Sequence, residues 1–509
     1  MKRPFAAIGA GIFAAGAFLY DKSDRVIALA AVIFCVCLLI GLLSTRLRKI
    51  KAVAVFFMAA LICSILIFCS NQLYYEPLCA LSGQWHTVSG QFTGKEEISY
   101  SKYYYELKIK EIDGERVNAK MHFITFTSLG DTAYCDFFGN VKLDIKGNDE
   151  DIISHYKSLG IFLKGYSKKG EYEVIENDSF SFGKLLYNLK EKFRQRVYSL
   201  YYYDCASLIN ALVLGDKDSL RDEVYSAFKG SGVVHIICVS GMHLSIWSAL
   251  FLFIFKKAGL NIKWASLLSI APVFAYMLLT GLTPSVLRSG IMMIIMLLGN
   301  FISRRADSLN SLGAAITVMA VINPYSMGNV SLQLSALSTL GLCILAQYEK
   351  NFKAPMLSGI KKKVYKPIKY ILSALITTLF AVIFTMPVAV SVFGYFNLTA
   401  FISNLLVVFA AQVCMISGSV GALVSVILPK SYNIPAFFAS ISADYLLFIT
   451  KKLSGIDSLT VYTDKNDWFL LLAVWALIAS LCFGALGKAK KKFKIAAVAI
   501  AFVWTLLMI

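Results

Sequence analysis

The chain has 509 residues, 57% of them hydrophobic and 16% charged, with a formal net charge of +19 and a mean hydropathy of +0.65. Soluble domains carry about 25% charged residues, and the apolar runs here are too long for one. A purely cytosolic enzyme is excluded; the expected class is a mostly α, polytopic membrane bundle. The charge is unevenly placed: residues 71–180 hold 12 basic against 17 acidic residues, and the remainder 38 against 14. Lys and Arg gather in cytoplasmic loops whatever a membrane protein binds, so the total alone does not argue for a polyanionic partner.

In chain order, Lys2 and Arg3 precede an apolar stretch from Phe5 to Tyr20, the pattern of a leader. Further apolar stretches at Val26–Leu43 and Ala52–Phe68 indicate retained helices instead. Arg46, Arg48, Lys49 and Lys51 follow the second stretch without an acid. The N-terminus and residues 44–51 are therefore expected in the cytoplasm and residues 71–180 outside the plasma membrane. This gives four segments: helices over 1–70, a domain over 71–180, a basic amphipathic helix over 181–203, and a membrane block over 204–509.

Residues 71–180 alternate apolar and polar positions between Gly and Asp-Gly turns, predicting about five short strands in a sandwich or an OB-like barrel. Its acidic balance opposes binding to a phosphate backbone, and Tyr103, Tyr104, Tyr105, Phe123 and Phe126 are read first as core. Of the eleven cysteines, only Cys79 and Cys135 lie in this segment, where an oxidising compartment would allow a disulfide. In residues 183–203, Leu185, Leu186, Leu189, Phe193 and Val197 share a helix face, with Lys184, Lys190, Lys192, Arg194 and Arg196 elsewhere on the helix, which suits a membrane interface.

Further spans are expected near 234–255, 262–280, 286–302, 308–322, 332–348, 369–393, 398–427, 434–450, 467–487 and 491–509, for about 11–13 in all, some short or re-entrant. Basic loops at Lys256/Lys257, Arg304/Arg305, Lys361–Lys363 with Lys366 and Lys369, and Lys488 with Lys490–Lys492 fall in alternate gaps.

Residues 211–246, ALVLGDKDSLRDEVYSAFKGSGVVHIICVSGMHLSI, interrupt this pattern. A helix should stop at Gly215, a second should run from Leu220 to Lys229 with Ser219 as its N-cap, and a polar run follows with His235, Ser240 and His243. Broken helices between spans are tolerated only where protein or a wet cavity shields the backbone. Asp216, Arg221, His235, Ser240 and His243 are thus candidates to line a solute path. Turn and cap roles compete with that reading for Asp216 and Ser219. No metal site is expected, because HxH and HExxH are both missing among the five histidines, and VSGMH lacks a nucleophile elbow. Further on, Thr283 and Pro284 open a span that carries Arg288 in its first turns. A lipid-facing charge there costs about 2.5–3.5 kcal/mol and opposes the helix dipole, so it needs an acid, water or an anion. Gln333 and Asn404 are the other polar residues within spans, with interhelical bonding as the plainer reading.

Several of these segments, in order, resemble the ComEC competence family: LVLGDKDSL, FKGSGVVHIICVSGMHLSI, TPSVLRSGIMM, RRADSLNSL, NPYSMGNVSLQLSALSTLG and TMPVAVSVFGYFNLTAFISNLL. The likeness is close over roughly residues 205–425. It implies an inner-membrane channel for single-stranded DNA in natural transformation, without a cofactor. It also implies an extracytoplasmic DNA receptor and a separate ATP-driven motor as partners beside membrane lipid. The metallo-β-lactamase-like domain of many members, with its HxHxDH motif, is not matched here. Nuclease activity is therefore not expected of this chain: either another protein degrades the strand, or this is a compact family member or a truncated product. Two alternatives stay open: a transporter of a small anionic or lipid-linked metabolite using Arg288, and a hydrolase built on Ser240 and His243 with an orienting acid or amide.

Overall fold

The computed structural model describes residues 3–43, 51–93, 97–99, 102–126, 128–129, 132–145, 155–168, 170–177, 181–351, 362–427, 433–456, 460–462 and 478. Apart from residue 478, the expected spans near 467–487 and 491–509 lie outside them, as do Arg46, Arg48, Lys49, Lys361 and Lys488–Lys492. The chain divides into two units, Met1–Lys190 with Gly313–Asn329, and Glu191–Leu312 with Val330–Ile509.

In the first unit the opening apolar stretches form α1 (Pro4–Leu19), α2 (Asp24–Leu43) and α3 (Lys51–Ser70). The last runs on through a π turn, Asn71–Tyr75, into α4 (Glu76–Ala80). Residues 71–80, expected in the outer domain, therefore extend the third span. The seven strands that follow are β1 (Trp85–Phe92), β2 (Glu97–Ser99), β3 (Lys102–Ile112), β4 (Glu115–Thr125), β5 (Asp136–Ile145), β6 (Ile161–Tyr166) and β7 (Tyr172–Ile175). Their pairing runs β1-β3-β4-β6-β5 and closes from β5 back to β1, with β4 and β6 parallel. That order is a five-stranded Greek-key barrel of the OB type, with β2 and β7 appended. Closure removes the exposed sheet edges, and alternation turns Val88, Phe92, Tyr105, Leu107, Met121, Phe123, Phe137, Val141 and Leu163 inward. Tyr105 and Phe123 are core as expected, whereas Phe126 is 71% exposed. Asp113 and Gly114 make the two-residue β3–β4 turn, and Asp113 also accepts from the Thr87 amide at 2.8 Å and contacts His86 Nδ1 at 2.6 Å. These bonds hold the Asp113 carboxyl below its usual range. The expected bridge between Cys79 and Cys135 is not formed: Cys79 lies on α4, and Cys135 packs into the barrel core.

The barrel is tied to the helices of its own unit by a buried polar cluster. Lys157, 7% exposed, donates to Asn71 Oδ1 at 3.1 Å and lies 4.0 Å and 4.4 Å from the ring centroids of Tyr75 and Tyr325. Asn71 donates in turn to Asp24 at 2.6 Å and accepts from the Tyr325 hydroxyl at 2.6 Å. The π turn brings Asn71 and Tyr75 to this cluster, an instance of a helix irregularity that aims side chains. Burial pushes the Lys157 ammonium down to about 8. An unfolded lysine titrates near 10.4, so between the two values the unfolded chain binds more protons and stability rises with pH. Lys157→Met, with no proton to release, is expected to flatten that rise in unfolding midpoints measured across this window.

At Gly9 and Gly313 two helix backbones meet: a Cβ on either glycine would overlap backbone atoms of the other segment. Small residues allow this kind of close approach between membrane helices. Gly313→Ala is expected to destabilise the first unit by about 1–3 kcal/mol, read as a lower unfolding midpoint in detergent.

The second unit takes α5 (Phe182–Leu200) from Glu191 onward, then α6 (Tyr203–Leu214), a 3₁₀ turn Lys217–Ser219, α7 (Asp222–Gly230), α8 (Val234–Ile237), α9 (Gly241–Lys257), α10 (Ile262–Leu279) and α11 (Pro284–Phe301). The next helix, α12 (Ser308–Ile322), runs into the first unit at Gly313 and is followed there by a 3₁₀ turn, Pro324–Gly328. The rest of the second unit comprises α13 (Val330–Asn351), α14 (Lys362–Phe393), α15 (Ala400–Ile427) and α16 (Asn433–Ser454), with β8 (Tyr395–Asn397) pairing β9 (Thr460–Tyr462). Among the described residues, seven helices are long and apolar enough to cross a membrane. The protein is a multi-pass membrane protein. Cys205–Leu214 of α6 are buried throughout, which marks α6 as a core helix. In α5 the expected apolar face splits. Val197 is buried and Phe193 packs on the core, while Phe182, Leu185 and Leu189 are exposed.

Candidate functional site

Residues 215–243 form a chain of short elements. Gly215 ends α6 in the left-handed conformation at φ +74°, which glycine adopts without steric cost. Ser219 is not the N-cap of α7: its hydroxyl donates to the Asp216 carbonyl at 3.0 Å and closes the 3₁₀ turn, leaving Arg221 at the cap position. The expected continuous span over 234–255 is also broken, because Cys238 and Ser240 are extended and separate α8 from α9.

Ser240 and His243 meet at the start of α9. His243 is the third helical residue and is fully buried; its Nδ1 accepts the Ser240 amide at 3.2 Å and lies 3.1 Å from Ser240 Oγ. With Nδ1 accepting, the ring proton sits on Nε2, and Nε2 is buried with no partner among the described residues. The orienting acid or amide that a hydrolase needs at that nitrogen is not supplied by the described residues. His235 lies within electrostatic reach of His243. His235 and Cys238 are exposed.

Arg288 is 4% exposed. Its Nε donates to Ser335 Oγ at 3.1 Å, Ser335 meets Ser285 Oγ at 2.9 Å, and Nη1 lies 3.2 Å from Met292 Sδ. Among the described residues no carboxylate pairs with it. A Cβ built on Gly241 would lie 3.9 Å from Arg288 Nη2 and 3.3 Å from Ser289 Cβ, so the guanidinium packs against the first turn of α9. Gln333 is buried two residues before Ser335 on α13.

Asp216 and Arg221 are tied elsewhere. Asp216 Oδ2 pairs with Arg194 Nη2 at 2.7 Å, and Arg194 Nη1 pairs with Glu191 at 2.9 Å. Arg221 bonds Asp204 at 3.2 Å and lies 5.3 Å from the Tyr203 ring. Asn404 sits on α15 with a buried Oδ1 that has no partner. Asn210, Ser248 and Ser403 also hold buried polar atoms without partners. Together with His243 and Asn404 these lie on α6, α9 and α15, which pack on one apolar core. The sequence reading missed Arg194 and Asn210; Arg194 stood out only as one of several cations on α5.

A multi-pass helical protein with a glycine-broken polar stretch and a buried, acid-free arginine is the class these features define. Residues 212–488 match the model of the Competence protein family, and the chain belongs to that family. It is similar to ComE operon protein 3 of Bacillus subtilis (strain 168), with 26% identity over 261 residues, or 51% of this chain and 31% of the relative. The chain thus matches under a third of that protein's length. No solved structure matches the chain.

Arg194 and Asp216 hold the 215–221 turn against α5. Removing one member of a buried pair leaves the other charge uncompensated, at about 3–5 kcal/mol. Arg194→Met is expected to lower the unfolding midpoint strongly, and Arg194→Met with Asp216→Asn to recover much of the loss, as a double-mutant cycle would measure.

Proposed function

We propose that the chain forms a conduit that carries single-stranded DNA across the plasma membrane into the cytoplasm in natural transformation. Family membership supports this reading. The observation that carries it is the set of unpaired buried polar atoms on α6, α9 and α15. Buried polar groups in native proteins are almost always bonded to protein or ordered water, and in a bilayer no lipid chain can satisfy them. These atoms are sealed from solvent here, and a hydrated passage opening between α6, α9 and α15 would answer them. Positive residues near the first spans put the N-terminus in the cytoplasm and the barrel outside, on the side from which DNA arrives. The path carries few fixed charges, which favours release of a polyanion over tight capture. The energy for transport comes from a separate motor, and the strand is delivered by an extracytoplasmic receptor.

A second reading is favoured by Arg288 alone: one guanidinium without an acid also suits a small anion or lipid-linked metabolite. The two are separated by deleting the gene in a competent host and following import of labelled DNA. The conduit reading expects uptake into the cytoplasm to fall to the level of a non-competent control, while DNA still binds the cell surface. Undiminished import in the deletion strain would overturn it.

A further inference from the structure

The surroundings of Arg288 carry an excess of positive charge that the described residues leave unanswered. The first-turn amides of α9, at Gly241 and Met242, have no intrahelical acceptors, and that helix end is the positive end of its dipole. Arg288 Nη2 lies against it, 3.9 Å from the Cβ position of Gly241. Arg288 stands in the second turn of α11, so its charge also opposes the dipole of its own helix. Ser335 and Met292 accept from the guanidinium, but both are neutral. Two residues past Gly241, fully buried His243 keeps an Nε2–H donor without an acceptor. Buried cations are normally paired, and among the described residues no anionic group meets this one.

We propose that Arg288 and the first turn of α9 form an oxyanion subsite for a phosphate group, with the Gly241 and Met242 amides and Arg288 Nη2 as its donors. Helix N-termini bind phosphate through these same amides, and Arg–phosphate bonds are charge-assisted. A methyl group on Gly241 would lie 3.9 Å from Arg288 Nη2, on the side of the turn where the phosphate oxygens would be held. The backbone at Gly241 is helical and the nearest neighbour to such a methyl is Ser289 Cβ at 3.3 Å, so Gly241→Ala requires Ser289 to give by a few tenths of an ångström. Phosphate recognition rests on this geometry alone; its use by a passing nucleic acid rests on the proposed function.

The test uses the full chain in maltoside micelles, titrated in separate arms with inorganic phosphate, oligothymidylate and phosphatidylglycerol, and with chloride as control. Unfolding midpoints report binding. The wild-type chain is expected to gain a saturable stabilisation from phosphate groups that chloride does not give. Arg288→Gln and Gly241→Ala are each expected to weaken it roughly tenfold or more, with Arg288→Lys retaining part. Should Arg288→Gln fail to fold, Gly241→Ala decides alone. The subsite is overturned if no arm stabilises the wild type, or if Gly241→Ala binds as well as wild type. Saturation by oligothymidylate below the other arms identifies the nucleic-acid backbone as the source. Preference for phosphatidylglycerol keeps the subsite and assigns it to a lipid headgroup. Normal DNA import by a Gly241→Ala strain whose purified protein has lost phosphate binding keeps the subsite and removes it from the DNA path.

Discussion

A guanidinium inside a membrane-spanning helix has to be answered by something, and the second unit is organised around that demand. Arg288 cannot reach water along its stem in the manner of a terminal residue, since it is nearly fully buried. The groups that meet it are one serine hydroxyl, itself bonded to a second, a thioether and a helix end. None of these neutralises the charge. The break between α8 and α9 serves this arrangement: an uninterrupted helix over 234–255 would bury its peptide groups in internal bonds and present no free amides beside α11. Extended backbone at Cys238 and Ser240 creates a helix start where the arginine lies.

The barrel meets a different constraint. A sheet next to a membrane exposes strand edges unless it closes, and the β5–β1 pairing closes this one. Its attachment within the first unit then depends on a second buried cation, Lys157. That lysine is satisfied internally, by Asn71 and two tyrosine faces. The comparison with Arg288 is instructive: one buried cation is caged by aromatic rings and an amide that accepts its proton, and reads as structural; the other is left with a neutral hydroxyl and donors.

Much of this was legible in the sequence because it follows from periodicity. Long apolar runs marked α10, α11, α13, α15 and α16, alternation marked the barrel, and Asp113-Gly114 marked a turn. Arg288 stood out because a charge inside an apolar run is costly wherever it points. Pairings between distant residues had no such signature. Nothing local links Arg194 to Asp216, which are separated by the whole of α6, or separates Cys79 from Cys135. The break at Cys238–Ser240 was hidden because an apolar run of Val, Ile and Cys reads equally as continuous helix. Ser219 was misplaced for a related reason, since a serine before an acidic first turn suits both a cap and a 3₁₀ turn, and packing chose the second.

For the proposed conduit, the choice of a hydroxyl over a carboxylate beside Arg288 matters. A carboxylate at hydrogen-bond distance would neutralise the guanidinium permanently and close the site to anions. A hydroxyl orients the group while leaving its charge to be met by whatever enters. A conducting path also needs each contact to be weak enough to release. A single guanidinium that meets only neutral groups satisfies that requirement better than a cluster of cations, which would hold a polyanion in place. On this view the scarcity of fixed positive charge in the membrane block is a condition for movement along it.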